Sequence, residues 1–186
     1  MFRRPERDSG FTLIELAIVL LAMSTLAAIA VPSINSFLNS QRARNAARTV
    51  ERTLQTARLK AVTTSRSLRV KFACPTATTL RILEVTGVPG TDNAGNRCDP
   101  TAYPSPGPVD ALRSTPSLDS PVIDLPTGTT VAGNPTMLEF TPRGTVYAVD
   151  PGGAVTPLAA DVVWTVTKGT FVNTVSINGL GRVRLN

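Results

Sequence analysis

Gly10-Phe11-Thr12-Leu13-Ile14-Glu15-Leu16-Ala17-Ile18-Val19-Leu20-Leu21 opens a stretch that stays almost wholly apolar as far as Val31. Glu15 is its only charge. Residues 11–31 approach the ~20 needed to cross ~30 Å of hydrocarbon as a helix. A cleaved secretory signal has a shorter apolar region followed by a small-x-small site, and that pattern is absent here. Arg3, Arg4 and Arg7 precede the stretch. By the positive-inside rule they stay cytoplasmic and the bulk of the chain faces outward. Glu15 is the anomaly, because a carboxylate in a lipid-exposed helix costs roughly 2.5 to 3.5 kcal/mol on insertion scales. Either it snorkels to the interface, being close to the helix start, or it has a function.

The rest of the chain leaves room for one modest head of roughly 120 to 150 residues. The full sequence of 186 residues carries 19 Lys plus Arg against 13 Asp plus Glu, a net +6. Without the first ten residues the balance is 16 against 11, or +5. Such an excess favours anionic partners, nucleic acid or lipid headgroups among them. There is no His and there are two Cys, Cys74 and Cys98. Zinc needs about four N or S ligands, so the composition argues against a metal site. An exported head would make a Cys74–Cys98 disulfide the expected pairing, worth roughly 3 kcal/mol by loop closure. Two unrelated free thiols are the alternative. With no His, no Gly-x-Ser-x-Gly and no phosphate-binding Gly-rich loop, an enzyme is not expected, and no cofactor is called for.

Gly10-Phe11-Thr12-Leu13-Ile14-Glu15 resembles the prepilin-peptidase signature of type IV pilins and type II secretion pseudopilins. The resemblance implies cleavage by prepilin peptidase between Gly10 and Phe11 and N-methylation of the new Phe11 amine. It makes Glu15 the fifth mature residue, which in the family pairs with the terminal amine of a neighbouring subunit. Two charges inside a filament are tolerable only when they neutralise each other. The implied organisation is a leader over 1–10 and a transmembrane, filament-assembly helix over 11–31. The protein would sit in the inner membrane with a periplasmic head until assembly into a pilus or pseudopilus.

Pro32 follows the apolar run and should kink or locally melt the helix. Beyond it, Ala43, Ala46, Ala47, Val50, Leu54, Ala57 and Ala61 recur at three- and four-residue steps. That predicts an amphipathic continuation over 32–64 with a narrow, small-residue face to pack under a sheet. Arg44, Arg48 and Arg52 form a column on another face. It reads either as a basic strip for nucleic acid or partner subunits, or as a solvated helix side.

After Thr64 the pattern turns β-like, defining a head over 65–186. The fold class expected is α+β, one long helix on a small antiparallel sheet. Predicted strands are Leu68–Phe72, Thr79–Val85, Val122–Leu125, Met137–Phe140, Val162–Val166, Thr174–Ile177 and Arg182–Leu185. Between Pro89 and Pro121, turn formers dominate and predict an irregular surface excursion.

Phe140-Thr141-Pro142-Arg143-Gly144 and Gly181-Arg182-Val183-Arg184 resemble the GspH/FimT branch of minor pilins. The second element is similar to the Gly-Arg-x-Arg motif with which FimT-type pilins bind DNA in natural transformation. On a strand, Arg182 and Arg184 share one face about 6.6 Å apart. There they can contact neighbouring phosphates of extracellular double-stranded DNA. Gly181 allows a turn or a close approach. Lys168, in the expected hairpin turn Thr167–Thr170, would add a third charge. Without base-reading aromatics, such binding is sequence-independent. The alternatives are that these arginines guard an edge strand against aggregation, or that the head docks other pseudopilins of a type II secretion machine, as GspH-like proteins do.

Overall fold

The computed structural model describes residues 11–86, 97–105 and 116–186. The leader 1–10, with Gly10, lies outside them, as do 87–96 and 106–115 of the Pro-rich stretch. The chain divides into two compact units, one ending at Leu38 and the other running from Asn39 to Asn186.

Helix α1 (Leu13–Thr64) spans 52 residues. It starts directly after Thr12, whose hydroxyl accepts from the Glu15 N–H at 3.3 Å. In return the Glu15 carboxylate accepts the Thr12 N–H at 2.9 Å. This reciprocal capping box satisfies two donors at the helix start. The local melting expected at Pro32 does not occur, since helix runs through that position. The segment before Leu38 is long and apolar enough to cross a membrane, and none of that window is buried.

In the second unit, the predicted face is the buried face. Ala43, Ala46, Ala47, Val50, Leu54, Ala57 and Ala61 are all fully buried. Alanine at these positions lets the helix axis approach a sheet closely. Two antiparallel sheets meet it rather than the single small sheet expected. The larger has six strands: β1 (Leu68–Phe72), β2 (Thr79–Glu84), β3 (Ile123–Asp124), β5 (Met137–Phe140), β6 (Val146–Val149) and β7 (Val155–Pro157), in the order β3-β2-β1-β5-β6-β7. The smaller comprises β4 (Thr130–Ala132), β8 (Val162–Lys168), β9 (Phe171–Ile177) and β10 (Val183–Leu185), in the order β10-β9-β8-β4.

A single apolar cluster joins these layers. Leu54 and Ala57 of α1, Val70 and Leu138 of the larger sheet, and Trp164 and Val175 of the smaller sheet belong to it. Phe72 stacks on Trp164 across the sheets with ring centroids 5.0 Å apart. The indole N–H donates to the Pro135 carbonyl at 3.1 Å, so its polar edge is not orphaned by burial. Every member of this core lies at or beyond Ala46. The unit from Asn39 onward therefore carries its own complete core.

Parts of the expected surface excursion are buried. Alternation along β2 turns Leu80 and Ile82 to the main core, while Arg81 and Leu83 point to the opposite face. Residues 97–105 and 116–120 cover that face. Cys74 and Cys98 form a disulfide with Cα atoms 4.9 Å apart, tying the cover to the end of β1. Arg81 donates to the carbonyls of Ser120 (2.8 Å), Arg97 (2.9 Å) and Tyr103. Arg97 forks onto Asp119 at 3.0 and 3.1 Å and also reaches the Glu84 carbonyl. Glu84 accepts from Arg66 and from the N–H groups of Ser117 and Leu118 at 2.8 and 3.0 Å. Buried charges persist only when paired and hydrogen-bonded in this way.

Candidate functional site

Two regions carry most of the residues singled out by sequence. At the N-terminus, Phe11 is exposed and Glu15 sits in the first turn of α1. The Thr12 hydroxyl adds a bond to the Glu15 carboxylate at 2.8 Å. Thr12 was not among the expected site residues, although Thr12-Leu13-Ile14-Glu15 has the capping-box spacing that could have flagged it.

At the C-terminus the two short motifs meet. Thr141 to Thr145 forms the β5–β6 turn, closed by Gly144 N–H to Thr141 O at 2.9 Å. Leu180 and Gly181 lie in the turn before β10. Asn178 holds that turn, its side-chain oxygen accepting the N–H groups of Leu180 (3.1 Å) and Arg182 (2.9 Å). Val146 N–H donates to Gly179 O at 2.9 Å and joins the two turns.

Arg58 of α1 lies between them. Its Nε donates to the Gly144 carbonyl at 3.2 Å. Gly181 has φ +75°, and a Cβ there would stand 2.6 Å from Arg58 Nε and 2.9 Å from Gly144 O. Only glycine fits this contact. Sequence reading missed Arg58, since nothing local connects a helix residue to turns so far along the chain. Arg58, Gln55, Leu59, Val62 and Gly181 line a shallow groove, and Leu59, Val62 and Leu180 expose apolar surface beside it.

Arg182 and Arg184 are exposed, while Val183 and Leu185 pack inward on the core. The expected alternation is therefore present, with one change. Arg182 precedes β10 rather than lying within it, so only Arg184 is in the ladder, opposite Ser176. β10 is an edge strand of the smaller sheet. Lys168 is not brought to this place. It ends β8 opposite Phe171, at the far end of β9 from Ser176, and the turn itself is Gly169-Thr170. Its ammonium donates to the Thr127 carbonyl at 2.8 Å.

The charge distribution follows from which arginines are paired. Arg66, Arg69 and Arg97 pair with Glu84, Glu139 and Asp119 inside the head. Arg44, Arg48, Arg52, Arg143, Arg182 and Arg184 are exposed and have no carboxylate partner among the described residues. The excess positive charge thus resides on the surface, and part of it gathers where the two motifs touch.

Residues 7–31 match the prokaryotic N-terminal methylation motif. The type IV minor pilin FimU of Pseudomonas aeruginosa superposes with a TM-score of 0.50 at 16% identity, over 81% of this chain and 92% of that one. The chain carries the N-terminal methylation motif and shares the fold of that minor pilin. A second crystal form of FimU gives a TM-score of 0.46 at 17% identity, covering 77% and 91% of the two chains. The minor pseudopilin EpsH of the Vibrio cholerae type 2 secretion system gives 0.47 at 13%, covering 78% and 96%. No curated protein matches the sequence. Residues 39–64 of α1, the two sheets and both short motifs belong to the second unit.

Proposed function

We propose that this chain is a minor pilin-type subunit, with a leader over 1–10, a membrane and assembly helix over 11–31, its continuation over 32–64 and a head over 65–186. Prepilin peptidase cuts between Gly10 and Phe11, and the Phe11 amine is methylated. The inner membrane holds the subunit by residues 11–31 with the head in the periplasm until it joins other pilin subunits in a filament. The methylation motif over residues 7–31 carries this reading. Glu15 then offers its carboxylate to the terminal amine of a neighbour, a pairing that offsets the cost of placing either charge in an apolar filament core. The role is structural rather than catalytic.

The head's task is to bind extracellular DNA without sequence preference for uptake in natural transformation. The observation that supports it is the pair Arg182 and Arg184, exposed and without carboxylate partners among the described residues, Arg182 just after the turn braced by Asn178 and Arg58 and Arg184 on β10. Each guanidinium can contact a phosphate by a charge-assisted fork. In a mobility-shift assay on the Asn39–Asn186 head, Arg182→Gln with Arg184→Gln should abolish retardation of duplex DNA without lowering the melting temperature. Undiminished binding by that variant overturns the assignment of DNA contact to this pair.

One observation favours a second reading. β10 is an edge strand, and Arg184 on it guards against edge-to-edge pairing. A GspH-like pseudopilin that docks other subunits of a type II secretion system, and never meets DNA, needs no more than that. Retention of subunit docking by a head that does not retard DNA selects this reading.

A further inference from the structure

The column Arg44, Arg48 and Arg52 remains without a role in the function proposed so far. At 100° per residue, these three share an arc of about 120° with Gln55, Arg58, Leu59 and Val62. The last four line the groove beside Gly181. The arc lies to one side of the buried stripe centred on Val50, Leu54 and Ala61. The helix flank that meets the Gly181 turn is therefore the flank that carries the arginine column.

We propose that the phosphate-binding surface runs from Arg182 and Arg184 through Arg58 onto this flank, so that Arg44, Arg48 and Arg52 meet the same DNA duplex. The inference rests on the DNA-binding reading above. Three observations support it. Arg44, Arg48 and Arg52 are exposed and have no carboxylate partner among the described residues. They rise about 6 Å per step along the helix, commensurate with successive phosphates of one strand. From Arg44 to Arg58 the flank extends about 21 Å, far more than a two-arginine motif covers. Glu51 is the acid on this flank among the described residues, and its carboxylate accepts from Gln55 Nε2 at 3.2 Å. It is half-buried and leaves the column in excess.

Counterion release provides the test. Each phosphate neutralised on B-DNA adds about 0.9 to the slope of log K against log salt. Binding of a fluorescein-labelled duplex to the Asn39–Asn186 head, which contains the complete core, is measured by anisotropy over a salt series. Arg44→Gln/Arg48→Gln/Arg52→Gln should lower the slope by about 2 to 3 and weaken binding at low salt. Glu51→Gln should tighten binding, because it removes a negative charge from the track without touching the core. An unchanged slope in the triple variant, with the wild-type head binding and Arg182→Gln/Arg184→Gln impaired, overturns the extended surface alone. Failure of the wild-type head to bind duplex at any salt overturns the DNA reading itself.

Discussion

Arg58 Nε donates to the carbonyl of Gly144 at 3.2 Å while its side chain fills the space a Cβ on Gly181 would need. One helix residue thereby braces two turns, and the two motifs at the end of the chain become one surface. Gly181→Ala faces both the positive φ and the clash. It should cost about 1–3 kcal/mol, read as a lower melting temperature of the head.

The disulfide and the buried ion pairs hold the cover over β2. Cys74 and Cys98 are separated by 24 residues. Replacing both with Ser should cost about 3 kcal/mol. Chemical denaturation of the oxidised and reduced wild-type head should show the same difference.

Asp119 accepts both branches of the Arg97 fork, and its Oδ1 also accepts the Glu84 N–H at 2.7 Å. Asp119→Ala removes a buried carboxylate that accepts twice from the Arg97 guanidinium and should cost about 3–5 kcal/mol. Denaturant midpoints of the two proteins measure it, and a loss below about 1 kcal/mol would place the pair in the weak class of exposed ion pairs.

The helix–sheet seam depends on small side chains. Ala57→Leu forces a larger group between α1 and the sheets and should destabilise by about 1–3 kcal/mol through overpacking. Leu138→Ala, in the larger sheet, should cost about 2–5 kcal/mol by leaving a cavity. Thermal unfolding of the two variants compares these opposite errors at one seam.

Much of this architecture was legible in the sequence because period and polarity coincide. The stripe from Ala43 to Ala61 is the buried face of α1, and Leu68–Phe72 and Met137–Phe140 are strands with the expected bounds. Three strands escaped notice. Thr130–Ala132 and Val155–Pro157 are short sheet edges with two of their three residues in solvent, which leaves little pattern to detect. Val146–Val149 completes a hairpin with Met137–Phe140 through a turn whose Pro142 and Gly144 were legible, but Tyr147 and Ala148 blur its alternation.

At the site, the arginines were legible and their setting was not. Alternation placed Val183 inward and Arg184 outward, whereas no local signal brings Arg58 beneath Gly181 or sends Lys168 to Thr127. The buried Arg97 and Asp119 were hidden for a related reason. Their stretch is rich in turn formers, and burial there comes from long-range pairing rather than from apolar periodicity.

The central claim is that this chain is a processed pilin-type subunit, and the most direct measurement is the N-terminus of the mature protein. Mass spectrometry of the full-length chain from a host with prepilin peptidase should find Phe11 first, carrying one methyl group on its amine. A mature chain that still begins at Met1, or one cleaved beyond Val31 so that the apolar helix is lost, would contradict the account.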